Sequence, residues 1–151
     1  MTPAGMGMAV RILFLVILAV WAGIIIGVSL IATPIKFQAP SLTLETGLEI
    51  GRYTFRFLGR VELCLLVITL AAAAMAQTPK AVWIVLGLVI VILAVQHFWL
   101  LPFLDKRVSE ILAGAPPSFS TRHKIFAAME ACKALLLIVA AATGYYSQLR
   151  G

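Results

Sequence analysis

Apolar residues run along this chain in four long blocks, and the polar residues gather between them. The blocks cover roughly residues 10–32, 57–76, 81–101 and 125–146. Each is close to the about 20 residues that a helix needs to cross the hydrocarbon of a bilayer. The runs are continuous rather than alternating, which excludes the strands of a membrane β-barrel. Lipid cannot hydrogen-bond an open backbone, so helices remain. The expected fold class is all-α, an integral membrane four-helix bundle forming one domain over residues 1–151. The first block is too long for the apolar core of a signal peptide, and no A-x-A site follows it, so it reads as a retained span.

The connections differ in kind. Spans two and three are joined by Gln77-Thr78-Pro79-Lys80, which makes them antiparallel neighbours. The links at about 34–56 and 102–124 are much longer, and loops of that length usually have local structure or a task. Ser41, followed by Leu42, Leu44, Glu45 and Leu48, suggests a short interfacial helix. Lys106 to Ala113 suggests a continuation of span three, broken at Gly114-Ala115-Pro116-Pro117. Ser120 or Thr121 is the expected N-cap of span four.

Composition narrows the class further. Of the 151 residues, 62% are hydrophobic and 12% charged, against about 25% charged in a soluble domain. That balance excludes a soluble enzyme, a nucleic-acid-binding domain and a disordered chain. The net charge of +6 reads as the positive-inside rule and attraction to anionic lipid. Lys36, Arg52, Arg56, Lys106, Arg107, Arg122 and Lys124 lie in the long links, whereas Arg11, Lys80 and Arg150 lie on the opposite side. The long links are therefore expected in the cytoplasm, with both termini outside, in a cell inner or plasma membrane. The N-terminal tail before Val10 carries no charged side chain and costs little to translocate.

A shift of 68 residues lays the chain on itself without a gap. Pro34 then falls on Pro102, Arg56 on Lys124, Glu62 on Glu130, Cys64 on Cys132, and Ala72-Ala73-Ala74 on Ala140-Ala141-Ala142. The expectation is an internal repeat of two helical hairpins, related by an axis along the membrane normal.

Five ionisable residues fall inside the apolar blocks: Arg60, Glu62, His97, Glu130 and Lys133. Each costs roughly 2.5–3.5 kcal/mol to insert at a helix centre, so each is a functional candidate by default. The orientation puts all five in the cytoplasmic half. Helical spacing puts Gly59, Glu62, Thr69 and Ala73 on one face of span two, and His123, Ala127, Glu130, Lys133, Ala141 and Gly144 near one face of span four. Such small and polar faces should turn into the bundle. Glu130 and Lys133, three apart, can pair, and Lys133 is expected within reach of Glu62, Glu130 or both. Two acids and two bases would balance to zero, with His97 as the adjustable member. The group reads either as a register pin or as a ligand-binding or proton-relay site.

Other chemistry is weaker. Glu62 and Cys64, like Glu130 and Cys132, diverge by about 200° around a helix, so no helix offers both groups to one metal ion. A cross-helix Cys64–Cys132 pair stays open. Haem ligation by two histidines would need His97 and His123 to turn inward at a common depth. Ala19, Gly23 and Gly27 form a small-residue stripe, expected to pack within the bundle. Trp83, Trp99, Tyr145 and Tyr146 suit interfacial belts, but Trp21 lies mid-span. No Walker loop, HExxH or Ser/His/Asp set is present.

Several of these segments carry a resemblance. Trp21-Ala22-Gly23, His97-Phe98-Trp99 with Asp105-Lys106-Arg107 after it, and Glu130 followed by Ala134-Leu135-Leu136-Leu137-Ile138 are similar to the copper-resistance-D-like superfamily of four-helix membrane proteins. The similarity extends over most of the chain. Trp99 to Arg107 resembles the exit from span three in the TMEM205-like branch, a domain of unknown function. That resemblance implies a non-catalytic membrane protein: an accessory subunit of a larger or self-associated complex, or a solute or metal homeostasis and transport factor. No cofactor is expected on this reading. A second branch, the haem-associated protoporphyrinogen oxidases, implies haem as cofactor and a porphyrin-linked oxidoreductase. That branch carries a histidine about two turns before the first-helix tryptophan; here the position falls near Phe14, and span one holds no histidine.

Overall fold

The computed structural model describes residues 3–116 and 121–149, all in helices and short turns, with no strand among the described residues. Four helical rods are long and apolar enough to cross a membrane: Gly7–Lys36, Leu44–Met75, Lys80–Leu112 and His123–Ser147. These are spans one to four. At about 1.5 Å per residue they are about 40–50 Å long. They therefore outreach the roughly 30 Å hydrocarbon and end among the headgroups. The protein is an integral membrane four-helix bundle.

The rods extend further than the apolar blocks. Span two starts at Leu44, so no separate interfacial helix begins at Ser41. The cap is Thr43, whose hydroxyl accepts the Thr46 N–H at 3.2 Å. Nothing between Leu44 and Phe57 breaks a helix except two glycines, and both are used in packing. Gly47 lies so close under the Phe37 ring that a Cβ would collide with it, and Gly51 is buried facing the Lys36 ammonium. The first long link thus shrinks to residues 37–43. Span three continues through Lys106 to Leu112, as its sequence suggests, and Gly114 at φ +96° ends it. There the Gly114 N–H donates to Ile111 O and the Ala115 N–H to Glu110 O, the double bond of a left-handed C-cap. Gln77, at φ 52°, closes span two the same way, with Thr78 N–H donating to Ala73 O. Of the two caps expected for span four, Ser120 lies outside the described residues and Thr121 is the first residue of the helix.

Two rods widen before a proline. Residues Ile26–Ala32 and Gln96–Leu100 are wound as π-helix, followed by Pro34 and Pro102. Proline has no N–H to give, and its ring crowds the preceding turn. The wide turn instead lets Thr33 N–H reach Val28 O and Leu101 N–H reach Gln96 O, each five residues back. The Thr33 hydroxyl also donates to Val28 O at 2.8 Å. The backbone bond recurs at the 68-residue offset, while Leu101 has no hydroxyl to repeat the side-chain bond. Burial recurs too: Phe14 and Val82, Leu18 and Leu86, Trp21 and Val89, Ile25 and Leu93, Glu62 and Glu130, Ala72 and Ala140 are all buried.

Around the bundle the order is two, one, four, three. Span one packs on spans two and four, span four on one and three, and the last part of span three returns to span two. A large apolar layer centres on Phe14, Leu18, Trp21, Leu86, Val89 and Leu137. A smaller one joins Phe55, Leu58, Leu100 and Phe126, with the Phe55 and Phe126 rings edge-on at 4.8 Å. Along spans two, three and four, the buried polar residues fall between these two layers.

Candidate functional site: a buried charge network

The π-turns deliver Ser29 and Gln96 to the bundle axis, where both are buried. Spans two and four bring Glu62, Glu130 and Lys133, and span one adds Trp21. Glu130, Lys133 and Trp21 are 0% exposed, and Glu62 and Gln96 are 3%. Lys133 Nζ lies 2.6 Å from Glu62 Oε1 and 2.7 Å from Glu130 Oε1. It also donates to Gln96 Oε1 at 2.8 Å. An ammonium has three donors, and all three are engaged. Gln96 Nε2 donates to Glu130 Oε1 at 2.7 Å, Ser29 Oγ to Glu130 Oε2 at 2.8 Å, and Trp21 Nε1 to Glu62 Oε1 at 3.1 Å. Six side chains from all four spans form one connected network.

This geometry supplies what burial demands. A buried charge is strongly unfavourable unless it is paired and its remaining hydrogen-bonding capacity is met. Lys133 meets both conditions. Glu130 accepts from three donors, and Glu62 accepts from two, both at Oε1.

Other expected members lie outside the network. Arg60 is exposed, because two residues from Glu62 is about 200° around the helix, just over half a turn. The charge balance of zero therefore fails: with both acids ionised, the buried group carries two carboxylates and one ammonium. His97 is half-buried against Gly59, one turn along span two from Glu62. Its Nδ1 is buried with no hydrogen-bond partner, and it makes no bond into the network. Gly59, Thr69 and Ala73 turn inward with Glu62 as expected, but His123 and Ala127 are exposed. On span four Glu130, Lys133 and Gly144 turn inward as expected, joined by Phe126 and Leu137. Trp21, Ser29 and Gln96 are the members that sequence spacing did not single out.

The stripe of Ala19, Gly23 and Gly27 faces outward rather than into the bundle, with nothing within 4 Å of a Cβ at either glycine. The close helix approach is made by Gly144 of span four against Phe14 and Leu15 of span one. Cys64 and Cys132 are both exposed. Among the described residues no group of three His, Cys, Asp or Glu side chains is placed to hold a metal ion. Of the two histidines in the chain, one is exposed, so no inward imidazole pair is available for haem.

A second polar contact ties the ends of spans two and three. Arg56 Nε donates to Asp105 Oδ2 at 2.7 Å, and Arg52 donates to Asp105 O and Ser109 Oγ at 3.0 and 2.7 Å. It is partly exposed: half of the Arg56 side chain is open, whereas Arg52 and Asp105 are 17% and 19% exposed.

The chain matches no protein-family model, no curated protein and no solved structure.

Proposed function

We propose that this protein is a small, non-catalytic, multi-pass membrane protein of the solute homeostasis and transport kind, with the buried network as its working site. The observation that carries this reading is the position of the network on the bundle axis. Glu130 and Lys133 are wholly buried, so no partner helix docking from lipid touches them. A working role for them needs an ion or small polar solute that reaches the bundle interior. Buried ionisable groups between membrane helices usually mark such paths, and π-turns are frequent at working sites. An accessory-subunit role would use the lipid-facing surface instead.

Three further readings belong to this proposal. The basic links put the network in the cytoplasmic half, with both termini outside. The two hairpins arose by duplication, a reading supported by the paired π-turns and the matched burial at the 68-residue offset. The chain is a distant member of the copper-resistance-D-like superfamily, in its TMEM205-like branch. The haem-linked alternative rests on one half-buried imidazole, His97, and would be carried by a Soret band in purified protein.

The test is flux in proteoliposomes. Wild type and a Glu62→Gln/Glu130→Gln/Lys133→Met variant are compared across protons, monovalent and divalent cations and small polar solutes. The proposal expects one class to move with wild type and not with a folded variant. Equal flux through both, or none through either, overturns it.

A further inference from the structure

The network has one negative charge too many for its surroundings. Glu62 and Glu130 would contribute two carboxylates, and Lys133 contributes one ammonium. Among the described residues no other charge reaches it. Span one offers only Trp21 and Ser29, and span three offers Gln96. His97, the titratable group of span three beside this region, faces Gly59 instead. Arg60, Cys64 and Cys132 face outward. An uncompensated charge at such depth is far costlier than a neutralised one.

The donors are shared unequally. Both oxygens of Glu130 are engaged, by Lys133, Gln96 and Ser29. Both donors to Glu62 converge on Oε1, and Oε2 makes no hydrogen bond among the described residues. Donors stabilise an ionised carboxylate, so Glu130 is the group built to stay charged. A metal cation is the other way to restore neutrality. The place between the carboxylates where it would sit is already filled by Lys133 Nζ, 2.6 and 2.7 Å from the two oxygens.

We propose that the solute of this site is a proton, bound at Glu62 Oε2 beside the Lys133–Glu130 pair. Loaded, the network is neutral: one ammonium, one carboxylate, one carboxylic acid. Unloaded, it carries one negative charge. Loading forms one O–H bond and moves no other atom, because neutral Glu62 still accepts from Trp21 and Lys133 through Oε1. This deepens the reading of the network as a site for a small solute. It differs from a structural pin in requiring a specific proton count.

The count is measured by infrared spectroscopy on protein reconstituted in phosphatidylcholine vesicles at neutral pH, in water and deuterium oxide. The signal is the carbonyl band of a protonated carboxyl. The other side-chain carboxyls, Glu45, Glu49, Asp105 and Glu110, lie outside the network. Wild type should show one buried carboxylic acid per chain. Glu62→Gln and Glu130→Gln should each show none, because one carboxylate then pairs with Lys133. Lys133→Met should show two; if it fails to fold, the two glutamine variants decide. The proposal is overturned if wild type lacks the band, if the band survives Glu62→Gln, or if sodium titration removes it. The band needs no flux, so a silent transport assay with the band present sinks only the transport reading. Flux of another solute with the band absent sinks only the proton.

Discussion

Lys133→Met removes the cation that joins spans two and four. It strips a donor from Glu62 Oε1, Glu130 Oε1 and Gln96 Oε1 together. Breaking a buried ion pair by deleting one partner costs about 3–5 kcal/mol, because the other charge is left uncompensated. Met matches the lysine stem in length, so packing loss adds little. The combined Glu62→Gln/Glu130→Gln/Lys133→Met change removes all three ionisable groups. It leaves a side-chain carbonyl to accept from Trp21 and from Ser29, and an amide to meet Gln96. Replacing a whole buried charge group by neutral side chains of similar volume is often close to neutral, so the triple variant should lie within about 1–2 kcal/mol of wild type. The assay is reversible unfolding in mixed micelles, followed by helical circular dichroism. The single variant should unfold at clearly lower denaturant than the triple, and acid should narrow the gap, because the stranded carboxyls already hold protons in the folded state and acid protonates them in the unfolded chain as well. A triple variant less stable than Lys133→Met would refute the reasoning.

Gly144→Leu should cost about 1–3 kcal/mol by overpacking, since a Cβ there already meets Phe14 Cε1 at 3.2 Å. Gly23→Leu, facing outward, should stay within about 0.5 kcal/mol; equal effects in the same unfolding assay would contradict the helix rotation. A fusion at residue 151 to a reporter active only in the cytoplasm should stay silent, and a bright one would invert the topology. Arg56 and Asp105 should couple by about 0.2–1 kcal/mol in a double-mutant cycle, and high salt should weaken the coupling.

The spans were legible because continuous apolar runs have one solution in lipid. The core of the site was legible because Glu62, Glu130 and Lys133 stand out in those runs and share helical faces. What sequence missed has physical causes. Ser29 and Gln96 are uncharged and tolerable on any face, and a π-turn shifts the angular register by which inward positions are counted. Trp21 stood out as a mid-span indole, but only packing shows which acceptor its N–H finds. Arg60 was misplaced even though the argument that sends Cys64 away from Glu62 also sends Arg60 away. The Ala19-Gly23-Gly27 stripe faces outward because Phe14, Leu18, Trp21 and Ile25 bury far more area on the opposite side of the same helix. The early start of span two was hidden by its polar composition, not by any helix breaker.

The central claim is that one ammonium holds carboxylates from two spans inside the bundle. It is tested most directly by solid-state nuclear magnetic resonance in bilayers, with nitrogen-15 at the lysine ammonium and carbon-13 at the glutamate carboxyls. The account predicts that Lys133 Nζ correlates with the carboxyl carbons of both Glu62 and Glu130, each assigned by loss in its glutamine variant, and that its protons exchange slowly with water. A Lys133 ammonium in fast exchange, with a correlation to neither carboxyl, would contradict it.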